Sequence, residues 1–377
     1  MDLSLSEEQE MLKNMGRDFL TDKCPKSLVK KVEMDGKWYP PELWQEMAGL
    51  GWMGLVIPEK YGGSGMSLLD LTILVEEMGR ACLPGPFFST VVLGSLTIMD
   101  IGTDEQKEKY LPKIAGGEAV FTLALIEQDA SFNSTSIKVK ATKDKGDYVI
   151  DGIKLFVPDA SVANYILCVA RTSQQKNPEG GITLFLVDVQ SPGLSSTVLK
   201  TIAGDKLCKV VFTKVRVPEE NIIGELDHGW GEVTKIMERA AVVKCCETIG
   251  GIQQVLEMTV DYAKERKQFN RPIGSFQIIQ HYCANMATDV DGTRLSAYHA
   301  AWMLTEGIPC RKEVAIAKAW VGDACQRSLA LAHQIHGAIG ITMDHDLQLY
   351  TRRLKAATTT FGDGDFHREI VAQEMGL

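Results

Sequence analysis

The chain has 377 residues, 45% of them hydrophobic and 24% charged, with a formal net charge of −9. That length exceeds one ordinary core and implies two or three domains, and the acidic balance argues against a nucleic-acid partner, whose phosphates call for a basic surface. No apolar run approaches the roughly 18 residues that span a membrane, and the opening MDLSLSEEQEMLKN is acidic and amphipathic, so a cytoplasmic protein without a secretory signal is expected.

Residues 1–118 read as helical. SEEQEMLKNMGRDFLTDK opens with Ser6 as N-cap and Gln9 three residues on, a capping-box spacing. PPELWQEMAGLGW starts a helix after Pro40-Pro41 and places Leu43, Met47 and Leu50 on one face. TILVEEMGRACL and DEQKEKYLPKIAGG continue the pattern, and YGGSG marks a tight loop. These glycines do not form G-x-G-x-x-G and no strand precedes them, which excludes a dinucleotide-binding turn here.

From 119 to 228 the texture changes to short β-rich runs such as AVFTLALIEQ, NYILCVART and ITLFLVDV, separated by turn residues. Strands at this spacing without intervening helices predict a barrel or sandwich. From Gly229 to 377 the chain returns to long helices, one running almost unbroken to Phe269 and two more over roughly 276–306 and 311–336. The fold class is therefore α+β, with a β domain between two helical blocks and pockets expected at the interfaces.

The nine cysteines include no C-x-x-C pair, and only Cys245 and Cys246 are adjacent; buried reduced thiols are expected. His333 and His336 stand three apart with no carboxylate between them, so no metal site is predicted.

Four segments carry a resemblance: PEKYGGSGMSLLD (58–70), VPEENIIGELDHGWGEV (217–233), YAKERKQFNRPIGSFQIIQHYCANMA (262–287) and QIHGAIGITMDHDLQLYTRR (334–353). In that order, over nearly the whole chain, they resemble the acyl-CoA dehydrogenase family. The resemblance implies FAD between the β domain and the C-terminal helices, an acyl-CoA substrate and usually a tetramer. It implies removal of an α-proton and transfer of a β-hydride to flavin N5, with an electron-transfer flavoprotein as acceptor. Arg266, Phe269 and Gln277 match family residues that contact FAD, the Arg reaching the pyrophosphate across a subunit boundary; a guanidinium fork suits a diphosphate. Gln334, Gly337 and Gly340 match a second FAD contact, and Phe156 and Pro158 stand in the segment that lies against the flavin, replacing Trp and Thr of the family pattern.

The usual base is missing. Counting back seven residues from Arg368 reaches Phe361, where many members carry Glu, and the alternative helix position is Ala240. Seven residues beyond Ala240, close to two helical turns, stands Glu247 beside Cys245, Cys246 and Gly250-Gly251. It resembles the helix-borne base of a subfamily acting on steroid side-chain and dicarboxylyl thioesters, which shares the F-G-D-x-D-x-H-R-E tail. Burial among apolar neighbours is expected to raise its pKa; Glu238, Asp363 and Asp365 are the other candidates. Phe361 keeps a backbone N–H that can bond the thioester oxygen, Gly362 keeps the turn open, and the Phe361 ring can wall the acyl pocket. The expected activity is dehydrogenation of a bulky, branched, cyclic or dicarboxylyl acyl-CoA by a homotetramer. The alternatives are a non-catalytic, FAD-sharing subunit of an α2β2 assembly and a flavin acyl-CoA reductase.

Overall fold

A computed structural model of the chain describes residues 5–34 and 39–377, so the first four residues of the acidic start lie outside it. Ser6 and Gln9 exchange side-chain and backbone hydrogen bonds as their spacing predicts, and this reciprocal cap opens α1 (Glu7–Lys23). Next come α2 (Lys26–Met34) and α3 (Pro41–Gly49), followed by α4 (Leu68–Ala81), which is capped in the same manner by Ser67 and Asp70. A π-helical run, Phe88–Ser95, passes into α5 (Leu96–Ile101), and the Thr103–Gln106 box starts α6 (Asp104–Ala115). Leu43 and Met47 are buried, but Leu50 is 43% exposed: α3 ends at Gly49, so Leu50 leaves the helical face that periodicity assigned to it.

The middle of the chain forms one eight-stranded sheet: β1 (Phe121–Ala124), β2 (Lys140–Asp144), β3 (Asp147–Pro158), β4 (Tyr165–Arg171), β5 (Ile182–Asp188), β6 (Leu194–Val198), β7 (Leu207–Val217) and β8 (Ile222–Ile223). Its order is β6-β7-β3-β2-β4-β5-β8, with β1 parallel to β4. The β3–β7 half and the β4–β5 half share one apolar cluster, in which Tyr148 packs on Phe185 at 5.1 Å between ring centroids. The sheet thus folds over on itself, resolving the barrel-or-sandwich expectation into a single bent sheet.

The C-terminal block comprises α7 (Trp230–Glu265), a short hairpin of β9 (Lys267–Gln268) and β10 (Arg271–Pro272), α8 (Gln277–Thr305), α9 (Arg311–His336), α10 (Ala338–Ile341), α11 (Asp346–Ala357) and α12 (Gly364–Glu374). Among the described residues no helix is long and apolar enough to cross a membrane.

The two helical blocks are joined by a crossing of α4 and α7 in which backbone touches backbone. A Cβ built on Gly79 would lie 1.9 Å from the Glu247 carbonyl oxygen, and one on Gly250 would lie 1.8 Å from that of Glu76. Only glycine permits this approach. Gly79→Ala should therefore lower stability by about 1–3 kcal/mol or more, the cost of overpacking. Gly231→Ala, on the same α7 but with open space around its Cβ, should be neutral or slightly stabilising. Thermal unfolding of the two variants checks this; equal midpoints would dismiss the close crossing.

Candidate functional site

All three parts of the chain meet around a cavity of about 560 Å³. The helical N-terminal block contributes Gly85, Phe88, Ser89 and Leu93, and the sheet contributes Leu123, Leu125, Leu155, Phe156 and Pro158. The C-terminal block closes it with Lys244, Glu247, Ala356, Ala357 and Phe361. The lining is mostly apolar with a few convergent charged groups, the usual composition of a small-molecule site.

Of the carboxylates considered for proton abstraction, Glu247 alone lines this cavity. Asp363 caps α12 by accepting from the Phe366 N–H at 2.9 Å, and Asp365 is an exposed partner of Arg368. Glu238 faces Arg311 outside the cavity, and burial holds its carboxyl above the usual range. Ala240 is fully buried in the core.

The setting of Glu247 corrects one expectation. Cys245 and Cys246 adjoin it in sequence but turn into a separate apolar cluster with Ile73, Ile249 and Tyr298, because successive helix positions diverge by about 100°. Glu247 is instead half-buried and ion-paired with Lys244 one turn earlier. The Lys244 ammonium also lies 4.1 Å from the centroid of Phe88, which stacks on Phe361 at 5.7 Å. A cation over an aromatic face is stabilised by the ring quadrupole, so the base candidate, its counter-charge and the Phe361 ring form one packed unit.

Phe361 and Gly362 occupy the turn after α11 with φ of 59° and 100°. At Gly362 a Cβ would lie 2.4 Å from the Phe366 ring, so this position requires glycine on two counts. Lys318 donates to the carbonyls of Ala357, Thr358 and Gly362 at 3.2, 3.1 and 2.9 Å, and His367 Nε2 lies 2.9 Å from that of Phe361. Among the described residues the Phe361 N–H has no hydrogen-bond partner.

On the sheet side, register shifts in β3 between Lys154 and Val157 and a φ of 52° at Phe156 leave that ring 45% exposed against the cavity. Such bulges re-aim a side chain. The loop after β1 is pinned by Glu127, which accepts from the N–H groups of Lys138 and Val139 and from the fully buried Lys154 at 2.7 Å. Asp159 follows Pro158 into the cavity and accepts from Ser89 Oγ at 2.6 Å. Its burial pushes the carboxyl up to about 6, against the Ser89 hydrogen bond and with help from the negative charge of Asp205.

The remaining predicted residues lie elsewhere. Arg266, Phe269, Gln277, Gln334 and Gly337 are exposed, and Phe269 is 87% so; none lines the cavity. Gly340 is buried against His336 and Leu347. His333 bonds Thr351 and His336 stacks on Tyr262. Sequence reasoning missed Lys244, Ser89, Asp159 and Lys318. A signal existed for Lys318, a lone cation on the apolar face of EVAIAKAWVG, and likewise for Lys154 at an inward position of β3.

The acyl-CoA dehydrogenase N-terminal, middle and C-terminal domain families match residues 6–118, 122–215 and 227–376. A probable acyl-CoA dehydrogenase of Bacillus subtilis is 30% identical over 100% of both chains. The NADH-linked acryloyl-CoA reductase of Anaerotignum propionicum is also 30% identical, over 100% of this chain and 96% of its own. Among solved structures, butyryl-CoA dehydrogenase from Megasphaera elsdenii superposes with a TM-score of 0.93 at 27% identity, covering 100% of both chains.

The raised Asp159 carboxyl predicts a pH dependence of stability. A folded-state value near 6 against an ordinary 3.8 means that the folded chain holds this proton more tightly than the unfolded chain. The stability so conferred is complete below the ordinary value and is lost as pH rises through about 6. Asp159→Asn keeps an acceptor for Ser89 and abolishes the titration. It should gain on the order of 1–2 kcal/mol over the parent at pH 8, with the gain vanishing toward pH 4. Thermal unfolding across that range measures it, and parallel curves for the two proteins would contradict it.

Proposed function

Because the chain belongs to the acyl-CoA dehydrogenase family, we propose that it is an FAD-dependent dehydrogenase that introduces an α,β double bond into a bulky, branched or cyclic acyl-CoA thioester, with Glu247 as the base. The observation that carries this reading is that Glu247 and Phe361 line one cavity, while the other candidate carboxylates do not. A dicarboxylyl substrate suits the cavity less well. Four carboxylates, Glu33, Asp159, Asp205 and Glu247, line it against three cations, Lys206, Lys244 and Arg353, of which Arg353 and Lys244 are paired with Glu33 and Glu247.

The residues fit the cofactor. A planar tricyclic ring system needs a broad apolar slot, and Leu125, Ile126, Phe156, Pro158 and Phe361 supply one. The exposed Arg266, Phe269, Gln277, Gln334 and Gly337 lie outside that slot, and Ile341 and Met343 are exposed as well. A cationic and apolar surface of this kind supports a tetramer, homomeric or α2β2, in which these residues and Gly340 serve the dinucleotide end across a subunit boundary. An electron-transfer flavoprotein is the proposed acceptor.

When bound, FAD supplies the hydride acceptor. The protein's task is the α-proton, which is barely acidic until negative charge on the thioester oxygen is stabilised. Phe361 offers its N–H, which has no partner among the described residues, for that oxygen. Glu247 takes the proton at its carboxylate, a transfer that a positioned base accelerates by roughly 10²–10⁴. Lys244, paired with the carboxylate beforehand, is left as a positive charge in the cavity as negative charge develops on the substrate, and the apolar lining strengthens that attraction. The small Gly85, Ala203, Gly204, Ala356 and Ala357 along the wall leave room for a branched or cyclic acyl group.

A second reading, a reductase using the same groups in reverse, draws support from the acryloyl-CoA reductase of Anaerotignum propionicum; Glu247 would then deliver the proton. The chain purified alone should be yellow and should bleach with a bulky acyl-CoA under anaerobic conditions. Bleaching only in the presence of a partner chain would instead establish a heteromeric assembly. Glu247→Gln should keep the flavin and slow its reduction by roughly 10²–10⁴. Reduction at the parent rate would remove Glu247 from the mechanism.

A further inference from the structure

Lys318 is 3% exposed, and among the described residues it has no ion pair. Its three ammonium protons meet three backbone carbonyls, those of Ala357, Thr358 and Gly362. A buried cation without an ion pair is costly to desolvate, and burial lowers the Lys318 pKa accordingly. Three donors on one atom are the capacity of an ammonium, and here all are spent on a single turn at the C-terminus of α11, where the helix dipole favours a cation.

The carbonyls so bonded bracket Phe361. Lys318 holds the carbonyls of Thr358, three residues before it, and Gly362, one after it, and His367 holds the carbonyl of Phe361 itself at 2.9 Å. Burial keeps His367 neutral down to about 4, so with Nε2 as donor it serves as a fixed, uncharged hydrogen bond. Phe361 meanwhile adopts a left-handed φ of 59°, which is unfavourable for an L-residue and persists only where the surroundings enforce it. Among the described residues the Phe361 N–H has no hydrogen-bond partner, and Phe361 lines the cavity.

We propose that Lys318 is a positioning residue for dehydrogenation: with His367 it clamps the 358–362 turn and so presents the Phe361 N–H as a preorganised oxyanion donor for the thioester oxygen. The proposal rests on the dehydrogenase reading and specifies what holds that donor in place. Preorganisation of this kind lets a donor act without reorganising during the reaction.

The test uses the FAD-containing protein and crotonyl-CoA labelled with ¹³C at its carbonyl, an enoyl thioester already desaturated. Isotope-edited infrared spectra of the bound thioester should show the carbonyl band moved to lower frequency in the parent. In Lys318→Met the band should return toward its free position, kcat should fall roughly 10–10³-fold, as for loss of an oxyanion donor, and KM should change less than threefold. A folded, yellow Lys318→Met with the parent's carbonyl band would overturn the proposal and leave Lys318 a purely structural residue. Should that variant fail to fold, His367→Leu and His367→Gln decide the matter. The band should relax in the Leu variant and be kept by the donor of Gln, whereas identical bands would count against the clamp. If the parent itself shows no displacement, Phe361 is not an oxyanion donor and the proposal falls, while flavin reduction in Glu247→Gln reports separately on the base.

Discussion

The close crossing of α4 and α7 is the constraint from which the site follows. Gly79 lies beneath the carbonyl of Glu247, and Gly250 beneath the carbonyl of Glu76, so each helix accepts the other's backbone where a side chain would otherwise separate them. Contact at this range adds many small dispersion gains and weak C–H···O contacts, and it fixes the rotation of α7 about its axis. The same crossing anchors other elements. Glu76 accepts from Tyr298 at 2.7 Å and pairs with Lys13 and Arg294, while Glu77 pairs with Arg17. α1, α4 and α8 are thereby tied to the helix that carries Glu247, and the carboxylate inherits their rigidity.

Against that frame the cavity is an apolar enclosure whose charges are answered individually. Glu247 has Lys244, Glu33 has Arg352 and Arg353, and Asp159 has the Ser89 hydroxyl. Breaking such a pair in a half-buried site costs more than forming it yields, because the remaining group is left desolvated. The arrangement therefore resists collapse of any single member. Within it lie the two groups proposed for the chemistry, the Glu247 carboxylate and the Phe361 N–H, which has no partner among the described residues.

Much of the architecture was legible in residue patterns, because those patterns are local. The capping spacings at Ser6, the helical periods of α7, α8 and α9 and the strand-rich middle all follow from interactions between residues a few positions apart. The bent sheet was foreseen only as a class, since strand order depends on pairings such as that of β3 with β7, about 60 residues apart. Leu50 failed because α3 ends one residue before it. Glu247 was found by counting, but its surroundings were misjudged. Cys245 and Cys246 are neighbours along the chain and face another cluster, whereas Phe88 and Phe361, far away in sequence, share its cavity. Lys318 could be seen as an anomaly on an apolar face; that it holds a turn some 40 residues further on could not.

If Glu247 is the base, as proposed, Phe361 shows how a base could lie on another element while the oxyanion donor stays in place. At that position a side chain and a backbone N–H leave the same residue, and a Glu or a Phe there would offer the same N–H. The N–H depends on the turn, which Lys318 and His367 fix through backbone carbonyls and which is therefore indifferent to the side chain at 361. The vacated space is taken by an aromatic ring that packs on Phe88, and Phe88 in turn carries Lys244. The Phe361 ring thus forms part of the wall against which the cation beside Glu247 rests. A carboxylate on α7 and an N–H on the turn after α11 need only converge on one thioester. The α4–α7 crossing fixes the first and the Lys318–His367 clamp the second, so the two halves of the proposed catalytic pair are positioned by separate parts of the fold.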